Sequence, residues 1–295
     1  MGNPRLVIVF RRTEFQELLD RHATPGQAEF FLRTRGRNLR EVQDRHESIL
    51  AALDKIRAAV PAEWRRAEVE RADLSRFMFT GDDLIAVVGQ DGLVANTAKY
   101  LSGQPVLGID PEIGTNAGIL VRNSPTAAAK LLAAAADPAA LRCHELTMVT
   151  ARLDDGQELS ALNEIFVGHS SHQSAHYQMT TPDGRVERQS SSGVIISSGT
   201  GATGWSASIA KDRGGRALPA PSDPQLAWFV REAWPSPATG ATLTEGTLDS
   251  GDILRITAAS DQLVIFGDGM EGDKLTASWG QDITVTLSTR RLRLI

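Results

Sequence analysis

The sequence predicts a chain of two parts: an N-terminal α/β domain with a parallel sheet over residues 1–141, and a C-terminal β-rich domain over residues 142–295. An unbroken apolar run at residues 84–88 is typical of a strand buried on both faces of a parallel sheet. Strand-like and helix-like segments alternate before residue 137, which favours a sheet covered by helices. After residue 142 the sequence pattern changes to short strand-like runs separated by turn residues.

In the first part, residues 6–10 and 105–109 are apolar runs that predict further buried strands, and a short strand is expected near residues 67–69. Between them a long helix ends at Pro61. Ser124 and Pro125 predict the start of an alanine-rich helix that continues through Ala136. The long helix is predicted from one apolar stripe: Leu39, Val42, His46, Ile49, Leu50, Leu53 and Ile56.

The second part is predicted to be a run of strands with Asp-Gly turns at residues 155–156, 183–184 and 268–269. A short helix follows Gly204, and residues 213–224 form a loop rich in glycine and proline. The strands are expected at residues 145–153, 164–168, 175–179, 186–189, 193–197, 253–257, 263–266 and 283–287.

Composition narrows the class of protein. Apolar residues make up 41% of the 295 residues and charged residues 23%, and no apolar run approaches the roughly 20 residues of a membrane helix. The net charge of −5 disfavours broad binding to nucleic acid. A single cysteine excludes an internal disulfide, and the chain enters its first strand without a basic leader. We therefore expect a cytoplasmic protein that binds neither membranes nor nucleic acid.

The loop after the central strand reads GQDG, with Gly89 and Gly92 at its ends, and a helical pattern follows at once. A strand, a glycine turn and a helix N-terminus form an anion site, because free backbone N–H groups point at the ligand. A carboxylate in a phosphate-binding turn is explained if Asp91 accepts a proton from a hydroxyl or holds a metal ion. The alternative is an ordinary strand-to-helix turn with an N-cap.

Two other patterns favour simpler interpretations. Residues 199–204 spell G-x-G-x-x-G, but the short helix after them gives way to glycines and prolines, so a dinucleotide fold of the Rossmann type is not predicted. His169, His172 and His176 follow Glu164 at spacings that resemble a zinc set. Their serine-rich surroundings and flanking strand signals predict a loop entering a strand, which separates them. We therefore expect no metal ligands in the chain.

Three matches, read together, resemble the NAD kinase family. Residues 89–92 are similar to its GGDG loop, and Asn163-Glu164 opens a strand as the NE pair of the family does. Residues 191–193, 199–201 and 205–206 read SSG, GTG and WS, which is close to the pattern of the mitochondrial-type branch. The resemblance covers most of the chain and implies an NAD kinase/diacylglycerol kinase-like fold, whose C-terminal domain binds the dinucleotide.

The resemblance implies transfer of the γ-phosphoryl group of ATP to the 2′-hydroxyl of the adenosine ribose of NAD, with Mg²⁺ bridging the ATP phosphates. Asp91 would be the general base. Asn163 and Glu164 would hold ribose hydroxyls, since an amide and a carboxylate supply the donor and acceptors that a diol needs. A homodimer or higher homo-oligomer is also implied. The remaining binding residues would be Gly89, Gln90 and Gly92 at the phosphates, and Thr200 and Gly201 at the adenine end.

The loop departs from the family pattern at two positions. Gln90 replaces the second glycine of GGDG, and Leu93 replaces the following threonine. A side chain at position 90 occupies volume beside the phosphate or turns away from it. Two alternatives to an NAD kinase therefore remain: a catalytically weak or inactive dinucleotide-binding regulator on the same fold, and a kinase of another hydroxyl substrate such as a lipid or a sugar.

Overall fold

The structure is a computed structural model that describes residues 4–114, 118–134 and 141–295. It divides into two compact units. The first consists of Met1–Thr97, Gln104–Cys143 and Leu294–Ile295, and the second of Ala98–Gly103 and His144–Arg293. The functional division predicted between residues 141 and 142 stays a prediction. None of the helices in the described ranges has the length and apolar character needed to cross a bilayer.

The first unit contains a parallel sheet of four strands, β1 (Arg5–Phe10), β2 (Arg65–Glu70), β3 (Asp83–Val88) and β4 (Pro105–Ile109). Their order is β2-β1-β3-β4. All six residues of β3 are buried, as the apolar run predicts for a central strand. The four predicted strands and their parallel arrangement are confirmed.

The described residues of this part of the chain contain five α-helices: α1 (Glu14–His22), α2 (Pro25–Arg33), α3 (Leu39–Ala59), α4 (Asp91–Ala98) and α5 (Pro125–Ala134). The predicted long helix is α3, which ends two residues before Pro61. One member of its predicted apolar stripe is wrong, because Leu50 is 38% exposed. Ser124 caps α5 through its hydroxyl, as predicted. The predicted end of that helix at Ala136 lies outside the described residues.

The second unit is a sandwich of two antiparallel sheets. One sheet has the order β12-β11-β10-β7-β14-β15; in the other, β16-β13-β8-β9 are joined by β5 and β6. Side chains from both sheets form one apolar core that includes Tyr177 and Trp228. The strands are β5 (His144–Leu153), β6 (Glu158–Ala161), β7 (Glu164–His169), β8 (Ala175–Thr180), β9 (Val186–Ser191), β10 (Gly193–Ser197), β11 (Leu226–Arg231), β12 (Glu245–Leu248), β13 (Leu254–Ala258), β14 (Leu263–Gly267), β15 (Met270–Ala277) and β16 (Asp282–Leu294).

The predicted β-rich character of this unit and its eight predicted strands are confirmed, whereas β6, β11, β12 and β15 are additional strands. The short helix after Gly204 is α6 (Trp205–Asp212). The Asp268-Gly269 turn joins β14 to β15 with both residues in the left-handed region, at φ 53° and 65°. Aspartate and glycine tolerate that region better than other residues, so the sequence predicts this turn by its chemistry.

Candidate active site

The GQDG loop joins β3 to α4 in the first unit. The backbone N–H of Gly89 donates to the carbonyl of Ile109 at 3.0 Å, which ties the loop to the end of β4. The Gln90 side chain is exposed, and the helix begins at Asp91. The predicted sequence of strand, glycine turn and helix N-terminus is therefore present.

The Asp91 carboxylate is bound by the backbone of a neighbouring loop. Its Oδ1 accepts hydrogen bonds from the N–H groups of Leu120 at 2.8 Å and Val121 at 2.9 Å, and its Oδ2 accepts one from Ile119 at 2.9 Å. An ionised carboxylate offers about four acceptor positions, so roughly one remains, on Oδ2. Asp91 thus holds residues 119–121 in place and retains room for a single further hydrogen bond.

In the second unit, the start of β7 is held from two sides. The carboxylate of Asp268 accepts from the backbone N–H groups of Leu162 at 2.8 Å, Asn163 at 2.7 Å and Glu164 at 3.3 Å. From the other side, Ser198 donates its backbone N–H to the Asn163 carbonyl and its hydroxyl to the Leu162 carbonyl. Three consecutive peptide groups are therefore fixed, and with them the directions in which Asn163 and Glu164 project.

The glycine and threonine turn after β10 packs against the same segment. A Cβ atom on Gly201 would lie 2.3 Å from the Asn163 carbonyl oxygen, so only glycine permits this approach. Thr200 is 7% exposed, and its buried hydroxyl has no hydrogen-bond partner among the described residues. Buried hydroxyls in folded proteins are nearly always paired, so Thr200 has an unused hydrogen-bonding group.

The second unit contains a cavity of about 270 Å³ that is lined by Glu164 and by three aromatic side chains. The ring centroids of Phe166 and Phe266 lie 5.0 Å apart, and Trp205, which is 46% exposed, stands 6.0 Å from Phe166. Aromatic walls with a few polar groups are typical of sites for flat ring ligands. The lining is completed by Gly204, Asp268 and Gly269.

Two carboxyl groups in this cavity have displaced pKa values. Burial and the nearby charge of Asp268 raise the pKa of Glu164 to about 7. Burial raises the pKa of Asp268 to about 6, against its three backbone hydrogen bonds and the positive charge of Lys99. The Lys99 ammonium is itself buried and held by the Gly267 carbonyl at 3.1 Å and the Asp273 carboxylate at 2.8 Å. Displaced carboxyl pairs of this kind are a feature of functional sites.

Sequence and structure comparisons agree on one family, although no protein-family model matches the chain. The chain is 27% identical over 195 residues to an NAD kinase of Halobacterium salinarum, which covers 62% of this chain and 67% of that protein. The solved structure of an NAD kinase from Archaeoglobus fulgidus in complex with ATP matches 98% of this chain and 92% of its own, with a TM-score of 0.59 and 17% identity. The chain is similar to NAD kinases in sequence and in fold.

A shorter match connects it with the mitochondrial-type NAD kinases. A segment of 50 residues, 17% of this chain, is 44% identical to NAD kinase 2 of human and rat mitochondria. That segment spans only 11% and 12% of the length of these two proteins. The NAD kinase fold is thus supported across nearly the whole chain, and the mitochondrial-type similarity across one part of it.

Four of the site residues predicted from the resemblance to NAD kinases lie together in the second unit. The Asn163 carbonyl accepts a hydrogen bond from the backbone N–H of Ser198, and Gly201 packs against that carbonyl. Thr200 donates its backbone N–H to the Ser198 hydroxyl, and Glu164 follows Asn163 at the start of β7. The predicted phosphate loop, Gly89 to Gly92, lies in the first unit. Their roles toward a ligand stay predictions. Asp268 was predicted only as a turn residue, and Ser198 and Lys99 were not singled out at all.

The three histidines that resemble a zinc set lie in different elements of the second unit. His169 ends β7, His172 lies in the following loop and His176 is in β8. Within the described part of the chain, no three histidine, cysteine, aspartate or glutamate side chains are grouped as a metal site. Cys143, the single cysteine of the chain, is partly exposed.

Replacing Glu164 by glutamine is expected to stabilise the protein at high pH. Between about pH 4.5 and 7 the folded state binds more protons at Glu164 than the unfolded chain does, so the free energy of unfolding falls as pH rises through this window. We expect Glu164→Gln to add about 3 kcal/mol near pH 8 and almost nothing near pH 4, because one pKa unit corresponds to about 1.4 kcal/mol. Urea unfolding at both pH values measures this.

Glu187→Gln is the matched control, with the opposite sign. Burial raises the pKa of Glu187, but hydrogen bonds from Thr242 and Gln189 outweigh it and leave the pKa below its ordinary value. This variant should therefore lose stability near pH 8. If the stability of both variants changes with pH in the same way, the raised pKa of the buried Glu164 carboxyl is wrong.

Proposed function

We propose that the protein is an NAD kinase, which transfers the γ-phosphoryl group of ATP to the 2′-hydroxyl of the adenosine ribose of NAD to give NADP. The observation that carries the proposal is the anchored Asn163-Glu164 segment beside an aromatic cavity, in a chain with the NAD kinase fold. An amide and a carboxylate held in fixed directions suit the two hydroxyls of a ribose, and the cavity suits a flat heterocycle.

Each predicted site residue has a role in this reaction. Asp91 accepts the proton of the 2′-hydroxyl at its remaining acceptor position on Oδ2. Asn163 and Glu164 bind ribose hydroxyls, and the unpaired hydroxyl of Thr200 and the close-packed Gly201 receive the adenine end. The phosphates lie against the backbone of Gly89, Gln90 and Gly92, where the N-terminus of α4 favours negative charge.

Magnesium enters as the MgATP complex. Mg²⁺ in phosphoryl-transfer sites is commonly held by substrate phosphates, waters and one or two carboxylates. A cytoplasmic location and a homodimer or higher homo-oligomer belong to the same proposal, and light scattering of the purified protein tests the latter.

The direct test is incubation of the purified protein with NAD, ATP and Mg²⁺, followed by an NADP-specific coupled assay. NADP formation that depends on all three supports the proposal. Binding of NAD without turnover, seen as a thermal shift and by calorimetry, would overturn it in favour of a regulator. Failure to bind NAD, with phosphorylation of a sugar or lipid hydroxyl, would overturn it in favour of another kinase.

One observation favours the regulator as the second candidate. Three of the roughly four acceptor positions of Asp91 are already used by backbone N–H groups. A residue in that state can serve purely to hold residues 119–121, and binding of a dinucleotide then needs no catalysis. The variants of Asp91 and its neighbours described in the Discussion separate these roles.

Replacing Gln90 by glycine is expected to change the rate little. The side chain is exposed and makes no hydrogen bond to the described residues, so its removal opens no volume inside the loop. We expect kcat within about threefold of wild type, and at most a higher KM for ATP if the amide donates to a phosphate oxygen. Steady-state kinetics with ATP and NAD varied separately measure both. A large gain in kcat would instead identify the natural chain as a weakened kinase.

A further inference from the structure

We propose that Asp268 is a positioning residue of the dinucleotide site: its carboxylate fixes the segment that presents Asn163 and Glu164, and it acts in its charged form with Lys99 as the supporting cation. The inference rests on the proposed function. It assigns to the Asp-Gly turn between β14 and β15 a task beyond reversing the chain.

The contacts reach across the unit. The two oxygens of Asp268 accept from three consecutive N–H groups, which lie 104 to 106 residues away along the chain. An aspartate that served only its own turn would bond within that turn, as Asp183 does with Thr181 and Arg185 in the hairpin between β8 and β9. The Asp268 carboxylate therefore organises the ribose-binding segment, whereas the backbone of the same residue makes the hairpin.

The positive charge of Lys99 favours the ionised form of Asp268, and the negative charge of Asp268 in turn acts on Glu164. Lys99 donates to the Gly267 carbonyl and pairs with Asp273, whose other oxygen accepts from the Tyr100 hydroxyl. The positive charge of Lys99 lowers the pKa of Asp268, against the larger opposing effect of burial. The like charge of Asp268 in turn raises the pKa of Glu164. Loss of the Asp268 charge should thus loosen the segment and make Glu164 a stronger acid.

Asp268→Asn tests the proposal with little change in shape. Asparagine tolerates the left-handed backbone at this position, so the hairpin is kept. Its amide has one acceptor oxygen in place of two, and its NH₂ group faces a backbone donor. We expect the KM for NAD to rise about 10- to 100-fold, with kcat and the KM for ATP within about threefold of wild type. Asp183→Asn, in another Asp-Gly turn of the same unit, is the matched control and should leave all three parameters unchanged.

Two readouts separate positioning from general stability. Amide hydrogen exchange in residues 162–164 should accelerate at least about tenfold in Asp268→Asn and stay unchanged in Asp183→Asn. In the Glu164→Gln background, the affinity for NAD measured by calorimetry should fall as pH drops below about 6, since Asp268 then takes up a proton. The second readout needs no change at position 268, so it still decides if Asp268→Asn does not fold.

Each result of these experiments either supports or overturns the proposed role of Asp268. Unchanged exchange in residues 162–164, or faster exchange with unchanged affinity for NAD, overturns the proposal. A flat affinity between pH 5 and 7 in Glu164→Gln overturns it as well. A wild-type protein that binds NAD without making NADP refutes the kinase activity and leaves this inference standing. A wild-type protein that binds no NAD refutes the proposed function and this inference together, and exchange then reports only whether Asp268 orders the segment.

Discussion

Replacing Asp91 by asparagine is expected to reduce the rate of NADP formation by about 10²- to 10⁴-fold while the affinity for NAD stays near wild type. The amide keeps the shape of the side chain but cannot accept the proton of the 2′-hydroxyl, and removal of a general base typically has an effect of this size. Calorimetry and the coupled assay on the same preparation measure binding and turnover together. Near-normal turnover would rule out Asp91 as the base.

A second variant separates catalysis from anchoring. Asp91 also holds residues 119–121, so a loss of rate on mutation could come from a loosened loop. Asn123 ties the same stretch to β4 by donating its side-chain amide to the Gly108 carbonyl at 3.1 Å. Asn123→Ala should therefore loosen the stretch without removing the carboxylate, and we expect less than about a tenfold loss of rate. If both variants lose turnover equally, Asp91 is a positioning residue.

Replacing Gly201 by alanine is expected to destabilise the protein by about 3 kcal/mol and to abolish tight binding of NAD. The added Cβ would meet the Asn163 carbonyl oxygen at 2.3 Å, its carbon at 2.7 Å and the Ser197 hydroxyl at 2.7 Å. Two of these atoms belong to the backbone that Asp268 and Ser198 hold by hydrogen bonds, so they cannot move without breaking those bonds. Overpacking in such a place lowers the free energy of unfolding by about 1–3 kcal/mol or more. Urea unfolding and calorimetry measure the two effects.

Gly272→Ala is the control for this variant. Gly272 lies in β15 of the same unit, and a Cβ there would meet no atom within 4 Å. Its substitution should leave the urea midpoint and the binding of NAD unchanged. If Gly201→Ala behaves in the same way, the close packing of the turn on the Asn163 segment is wrong, and with it the assignment of Gly201 to the site.

Local patterns were sufficient for most of the fold. Residues 84–88 predicted β3, the spacing of Leu39, Leu53 and their neighbours predicted α3, and the Asp-Gly pairs predicted hairpins. These signals are local because burial of a whole strand or of one helical face selects residue types at short, regular spacing. The apolar run at residues 226–230 carries the same kind of signal for β11, which was not among the predicted strands. In contrast, β12 and β15 carry few buried residues and give almost no pattern.

The order and residue types of the motifs carried the resemblance to NAD kinases, which the comparisons support. The sequence also identified Asn163, Glu164, Thr200 and Gly201 as one set, and in the structure the turn that carries Thr200 and Gly201 packs against the Asn163-Glu164 segment. What it could not indicate was the state of Asp91. Its three hydrogen bonds run to residues 28 to 30 positions away, and no local spacing encodes such a contact.

The sequence by itself determined the α/β and β-rich parts, the GQDG loop and the Asn163-Glu164 pair that is predicted to bind ribose. Only the tertiary structure decided how these residues are held. Asp268 reads locally as a hairpin aspartate, and it becomes the anchor of Asn163 and Glu164 because pairing of β14 with β7 brings the turn against them. The raised pKa of Glu164 follows from the same folding step, since burial and a neighbouring charge exist only once distant strands are packed together.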